Sequence, residues 1–283
     1  MILVIGATGT TGRELIKALS AAGIPARAMT RSPERASGLR LPGIEVAAGD
    51  LSDTASLEKP FRGVNKVFLL SSGSQNQVRE HGNAIAAAKH VGAKQIVKLS
   101  AFAVKADSPS MIFRWHAETD RELAGSGLSW TILRPNFFMQ NVAFFAETIK
   151  SQNAFYAPLA QGKASLVDVR DIAAVALKIL SEGSHSGEIL EITGPKALSG
   201  EDMAAGISAV LGHRISYVNV PPEAAVQAMI QAGTPEWAAG DVVKIYGMWA
   251  AGKMGKITDA VEKVTGKKAR SFDTFLRDHK NLL

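Results

Sequence analysis

Cysteine is absent from the 283 residues. Disulfides, thiolate nucleophiles and thiolate metal sites are excluded with it. No apolar run approaches the roughly 18 to 20 residues that a bilayer-spanning helix needs. No basic region precedes an apolar core as a secretory signal requires, so the expectation is a cytoplasmic protein with no membrane partner. Charge of one sign is not concentrated: the net +6 is spread along the chain, densest at Lys263, Lys267, Lys268 and Arg270. No aromatic interleaving accompanies it, which favours a solvated helix face over a nucleic-acid surface. Tyrosine is scarce, with 3 in the chain and none between Met1 and Gln152. The 46% hydrophobic and 20% charged fractions are ordinary for a globular chain long enough to bury a sizeable core.

What is present begins at the first residue. Met1-Ile-Leu-Val-Ile5 is a β-branched apolar run that stops at Gly6, and Leu15, Ile16 and Leu19 then recur at helical spacing. Between them lies Gly6-Ala-Thr-Gly9-Thr-Thr-Gly12, one residue wider at the first gap than the standard dinucleotide fingerprint. A glycine turn between an N-terminal strand and a helix is where a pyrophosphate sits: Gly6 allows the turn, Gly9 the approach of the phosphates, and Gly12 the packing of helix on strand.

A second strand, Ala26 to Met29, ends at Thr30-Arg31-Ser32. At that tip an acidic residue selects the 2′-hydroxyl of NAD, whereas an arginine pairs with the 2′-phosphate of NADP. Arg31 points to NADP rather than NAD; the alternative for Arg31, and for Arg13 beside Gly12, is a solvated surface arginine. A third strand, Ile44 to Ala47, runs into Asp50, which either meets the adenine amino group or closes its own turn. Strands at Lys66 to Leu70, Gln95 to Leu99 and Trp130 to Arg134 alternate with helices at Gln75 to Val91 and Met111 to Ala124. Ser71, Ser72 and Gly73 leave room for ribose and nicotinamide, and Pro135-Asn136 stops the sixth strand.

Six strands alternating with helices predict an α/β fold: a Rossmann-type doubly wound parallel sheet with a smaller, mostly helical C-terminal substrate lobe. Residues 1–135, with 165–195 returning, form the expected dinucleotide-binding domain; 136–164 and 196–283 form the substrate lobe. Phe137 to Lys150 reads as helical, Ser165 to Val167 as extended, Asp168 to Leu180 as a helix capped by Asp168, Glu188 to Thr193 as a strand, and the remainder as mostly helical. No second nucleotide loop, repeat or linker interrupts the chain.

The Gly6 to Gly12 turn, Thr30-Arg31, Gly49-Asp50-Leu51, Thr131-Ile-Leu-Arg-Pro135 and Val167-Asp-Val-Arg-Asp171 resemble, in this order, the NmrA-like branch of the atypical short-chain dehydrogenases. The resemblance spans about Met1 to Leu211. Within that branch the segment His116-Ala-Glu-Thr-Asp-Arg-Glu-Leu resembles the NAD(P)H:quinone oxidoreductases and triphenylmethane reductases. It implies an NADPH-binding sheet with Asp50 near the adenine and a cleft against the C-terminal lobe. The implied cofactor contacts are Gly6, Thr8, Gly9, Thr10, Thr11, Gly12, Arg31, Asp50, Leu51, Ser71, Ser72, Gly73, Ser100 and Pro135.

One departure shapes the expected chemistry. Carbonyl-reducing short-chain dehydrogenases carry a Tyr-x-x-x-Lys pair on the helix after the fifth strand, and here that helix reads Met111-Ile-Phe-Arg-Trp-His116-Ala-Glu-Thr-Asp120. Ser100 matches the family's catalytic serine by position. His116 is either a proton donor or hydrogen-bond partner for a substrate oxygen, or a structural residue joining helix to loop. Trp115, Phe137, Phe138, Asn141 and Tyr156 are the expected substrate contacts, though aromatics at helical spacing also build cores. The expected function is reduction by NADPH of an electron-poor, aromatic or conjugated small molecule such as a quinone or dye, by a monomer or homodimer, with no metal. The alternative is a non-catalytic, dinucleotide-binding redox sensor of NmrA type.

Overall fold

Short apolar segments that stop at glycine or a polar turn pair side by side, and the helices between them turn their apolar stripes inward. In the computed structural model, which describes residues 1–71 and 73–283, the first half runs β1 (Ile2–Val4), α1 (Thr10–Ala21), β2 (Ala26–Thr30), β3 (Ile44–Ala48), α2 (Glu58–Phe61), β4 (Lys66–Leu69), α3 (Gln77–His90), β5 (Gln95–Leu99), α4 (Met111–Ala124) and β6 (Ser129–Pro135). The second half runs α5 (Ala146–Gln152), β7 (Ala154–Ala157), α6 (Val169–Glu182), β8 (Glu188–Ile192), α7 (Gly200–Leu211), β9 (Ser216–Asn219), α8 (Pro222–Gln231), α9 (Glu236–Ala250), α10 (Ala260–Thr265) and α11 (Phe272–Asp278).

Seven strands form one parallel sheet in the order β3-β2-β1-β4-β5-β6-β8. The order reverses between β1 and β4, and in such sheets the crevice opens at the carboxyl ends of the strands beside that reversal. Alternation along β1 sends Ile2 and Val4 to one face and Leu3 and Ile5 to the other. On the first face Leu15, Ile16 and Leu19 of α1 pack with Ile172, Val175 and Ile179 of α6. On the second lie Leu57, Phe61 of α2, Ile85 and Ala88 of α3 and Leu123 of α4. Both faces are therefore covered, as continuous apolar strands require.

A second core gathers Phe102, Phe113, Met139, Phe155, Met203, Ile207, Trp249 and Phe275. The chain does not stay in it: Val261 and Val264 of α10 return to pack with α6 on the sheet. Asp168 caps α6 by accepting from the Arg170 amide, as the sequence suggests. Asp171, also on α6, accepts from the Arg270 amide and pairs with its guanidinium, tying the C-terminal segment down.

One expectation is corrected. The stretch from Phe137 to Lys150 is not one helix but a tight turn of 3-10 type at Met139–Phe145 followed by α5. The later region is mostly helical as expected, and within it β7 and β9 pair in parallel as a separate two-stranded sheet. Four-residue strands leave too short a pattern to read by period; here Asn153, in left-handed conformation at φ 53°, ends α5 and starts β7. Ser165 to Val167 is extended as expected, with Val167 bridging to Phe138.

Candidate active site

The cleft starts at the glycine turn. Gly6 sits at φ +73° with the Leu70 carbonyl 2.6 Å from where a Cβ would stand, so the turn accepts no side chain there. At Gly12 a Cβ would fall 2.1 Å from the Gly6 carbonyl. Gly12 thus lets α1 lie against the turn from behind and, unlike Gly6, Thr8, Gly9, Thr10 and Thr11, does not line the cleft. Gly9 caps α1 without a side-chain bond, so the first-turn amides are left without helix partners, and no acidic residue sits in that turn. The Thr11 hydroxyl is buried, lines the cleft and has no hydrogen-bond partner among the described residues. Free amides, a positive helix end and an orphaned hydroxyl fit the pyrophosphate of a dinucleotide.

Around this cradle runs a cleft of about 740 Å³, continuous from Arg31 at one end to Ile245 of α9 at the other. Arg31 and Asp50 line its adenosine end. Asp50 closes its own turn, accepting from the Ser52 amide and hydroxyl at 2.8 Å each. Those two bonds, with the nearby Arg31 charge, hold its carboxyl below the ordinary aspartate value. Arg13 bends back onto the Thr8 carbonyl at 2.7 Å and braces the loop. Leu51, Ser71, Gly73, Ser100 and Pro135 all line the cleft. Ser72 lies outside the described residues.

The far end is walled by Phe137, Phe138, Asn141, Ile112, Phe113 and Ile245, with His116 among them. Phe137 is backed by Tyr246, stacked at 6.0 Å, and by Trp249 at 4.8 Å, so it serves core and cleft together. Two expected substrate contacts are not there. Trp115 follows the helix round from His116 and meets Trp237 of α9 edge-on at 5.8 Å. Tyr156 points outward from β7 and bonds Gln152. None of the tyrosines 156, 217 and 246 lines the cleft.

Beneath the cleft floor lies a polar network that the sequence reading missed. Lys98, near the carboxyl end of β5, is wholly buried, its ammonium 2.7 Å from Asp120 Oδ1 and 3.4 Å from His116 Nδ1. Asp120 Oδ2 accepts from the Ser100 hydroxyl at 2.9 Å and from Arg134 at 2.8 and 3.2 Å. The Gln77 side-chain nitrogen stands 3.2 Å from His116 Nδ1, and His81 Nε2 is 2.9 Å from the Ser71 hydroxyl. Burial first, then the Lys98 charge, drives the His116 and His81 pKa values well below the ordinary histidine value, so both rings are neutral. Burial likewise lowers the Lys98 pKa, against the pull of Asp120. Only part of the signal stands in the sequence: a lysine inside a central strand must find a partner, but that His116 and Asp120, four apart on α4, face it together is set by the packing of α4 on the sheet.

The start of α4 is held from across the cleft. Asp241 of α9, fully buried, accepts from the Ser110 hydroxyl at 2.7 Å and from the Met111 and Ile112 amides at 2.6 and 3.0 Å. The helix that carries His116 and the helix that carries Ile245 are thereby joined.

A sequence profile of the NmrA-like family matches residues 1–276. The chain belongs to the NmrA-like family. Among the relatives of this NmrA-like protein is an NAD(P)H azoreductase of Xenophilus azovorans, 39% identical over 279 residues, covering 99% of this chain and 98% of that protein. Quinone oxidoreductase 2 of Escherichia coli is 32% identical over 241 residues, 83% of each chain. The crystal structure of an Escherichia coli NADPH-dependent quinone oxidoreductase complexed with NADPH superposes with a TM-score of 0.89, at 28% identity, over 99% of this chain and 100% of that one. The NADP complex of the transcriptional regulator NmrA shares the fold at TM-score 0.81 and 18% identity, over 98% of this chain and 94% of that one. Among the described residues, no helix is long and apolar enough to cross a membrane.

Proposed function

We propose that this NmrA-like protein is an NADPH-dependent oxidoreductase that reduces an electron-poor, conjugated small molecule such as a quinone or dye. The observation that carries the reading is the continuity of one cleft from the phosphate cradle, past Ser71 and Ser100, to the aromatic wall of Phe137 and Phe138. That wall stands beside the strand ends where a nicotinamide lies, and it is the surface on which a flat acceptor would stack. A redox sensor needs no such surface. The azoreductase and quinone oxidoreductase relatives support the same acceptor class.

Bound NADPH supplies the hydride. The chain's own part is placement: first-turn amides of α1 and Thr11 on the pyrophosphate, Arg31 on the 2′-phosphate, and Phe137, Phe138 and Ile245 holding the acceptor and excluding water. The Ser100 hydroxyl donates its hydrogen bond to Asp120, so towards the cleft it acts as an acceptor. The sheet with its cradle forms the cofactor half, and residues 136–164 and 196–283, apart from α10, which packs on the sheet beside α6, close over the acceptor. Mixing purified protein with NADPH and a panel of quinones, azo dyes and cationic dyes is expected to oxidise the cofactor, read as loss of its near-ultraviolet absorbance. Inactivity across the panel would overturn the reading.

A further inference from the structure

An ammonium has no lone pair, so where Lys98 faces His116 it can only donate. His116 Nδ1 is then the acceptor, from Lys98 at 3.4 Å and Gln77 at 3.2 Å, and the neutral ring carries its hydrogen on Nε2. Both side-chain hydrogen bonds of the ring fall on Nδ1, and the ring lines the cleft, where Nε2 is left for a ligand. Lys98 and Arg134 against Asp120 leave one positive charge in excess beneath the floor, beside two neutral histidines. That excess favours negative charge arriving on a bound acceptor. No tyrosine lines the cleft to donate a proton, and the Ser100 proton is engaged by Asp120.

From this geometry we infer that His116 is the proton donor to the reduced acceptor, and that Lys98 is the proton store behind it. Asp120 and Gln77 are positioning residues, the first holding the Lys98 ammonium and the second the ring. The inference rests on the hydride-transfer reading above. With an azo acceptor, hydride from NADPH forms an N–H bond at one nitrogen as the N=N π bond breaks and its electron pair moves to the other nitrogen. That nitrogen takes the proton from His116 Nε2, while Nδ1 takes one from Lys98, which is left as the amine. Lys98 is sealed from solvent, so recharging runs back through the same ring: once product leaves, water in the cleft protonates Nε2 and Nδ1 returns its proton to Lys98. The sum is acceptor, NADPH and one proton giving the hydrazo product and NADP⁺.

Two dyes separate this relay from a structural role. An azo dye needs a proton as it accepts hydride, whereas a cationic triarylmethane dye becomes neutral on accepting hydride at its central carbon and needs none. In single turnovers at saturating dye, His116→Phe is expected to lower the azo rate relative to the cationic-dye rate by about thirtyfold or more, whatever loss the reshaped cleft wall imposes on both. Lys98→Met should slow the azo reaction selectively as well, and the solvent deuterium isotope effect seen with azo dye on the native protein should disappear in His116→Phe. Nuclear magnetic resonance of isotope-labelled histidine in the cofactor-free protein is expected to show His116 as the neutral Nε2–H form, giving way to mixed forms in Lys98→Met. Should Lys98→Met not fold, the native tautomer and the two-dye comparison on His116→Phe still decide. Equal losses on both dyes, no loss on either, or a native Nδ1–H ring would overturn the relay alone. A native protein inert towards both dyes would overturn the hydride-transfer reading and the relay with it.

Discussion

Arg31 is an exposed side chain at the tip of β2, lining the cleft with Asp50, and its worth depends on the ligand it meets. A guanidinium on a 2′-phosphate forms a charge-assisted pair of about 1.5 to 3 kcal/mol. Arg31→Ala is therefore expected to weaken NADPH binding roughly tenfold to a hundredfold and leave NADH binding nearly unchanged, measured by calorimetric titration of both cofactors. Equal weakening of both would make Arg31 a scaffold residue. Arg31 was legible because its position follows from a strand end, and so were Gly6, Thr8 and Asp50. Trp115 and Tyr156 were not: each is an aromatic residue in the right stretch, but which way it points depends on one step of helix or strand phase. Lys98 went unread for a related reason, since its significance lies in His116 and Asp120 arriving opposite it from another element.

The elements of the sheet could be read from period and punctuation, because most of its strands are apolar runs stopped by glycine, proline or a polar turn. The 3-10 turn at Met139–Phe145 and the β7/β9 pair could not, being specified by what packs against them in the second core. Helix α4 shows how far such tertiary terms reach: its own cap, Ser110, bonds the Phe113 amide, while the preceding amides depend on Asp241. Asp241→Asn keeps the shape and removes the charge from three short hydrogen bonds. The expected cost is about 1.5 to 3 kcal/mol of folding stability, read from the urea midpoint at unchanged slope. Activity in the surviving folded fraction should fall as well, since His116 rides on that helix.

Across the whole molecule, buried neutral histidines set a limit on the acid side. His81 is buried, and its pKa in the fold lies well below that of the unfolded chain, about 6.5. Above that value neither state binds the proton and stability is unaffected; below it the unfolded chain binds one that the fold refuses. Stability is therefore expected to fall as pH drops from about 6.5 towards the depressed value, by up to about 1.4 kcal/mol per pH unit from this residue. Denaturant titrations at several pH values check it, with His81→Gln flattening the slope. The path of the chain between its two cores has a consequence of a different kind. It leaves the sheet after β6, returns for α6 and β8, departs again through α7 to α9, and comes back in α10, where Val261 and Val264 pack beside α6. Neither half is a continuous piece of polypeptide, so the repeated crossings of the chain couple the melting of one half to that of the other. Heating or denaturant should produce one transition with coincident fluorescence and circular dichroism, and limited proteolysis should yield no fragment that survives as a folded unit.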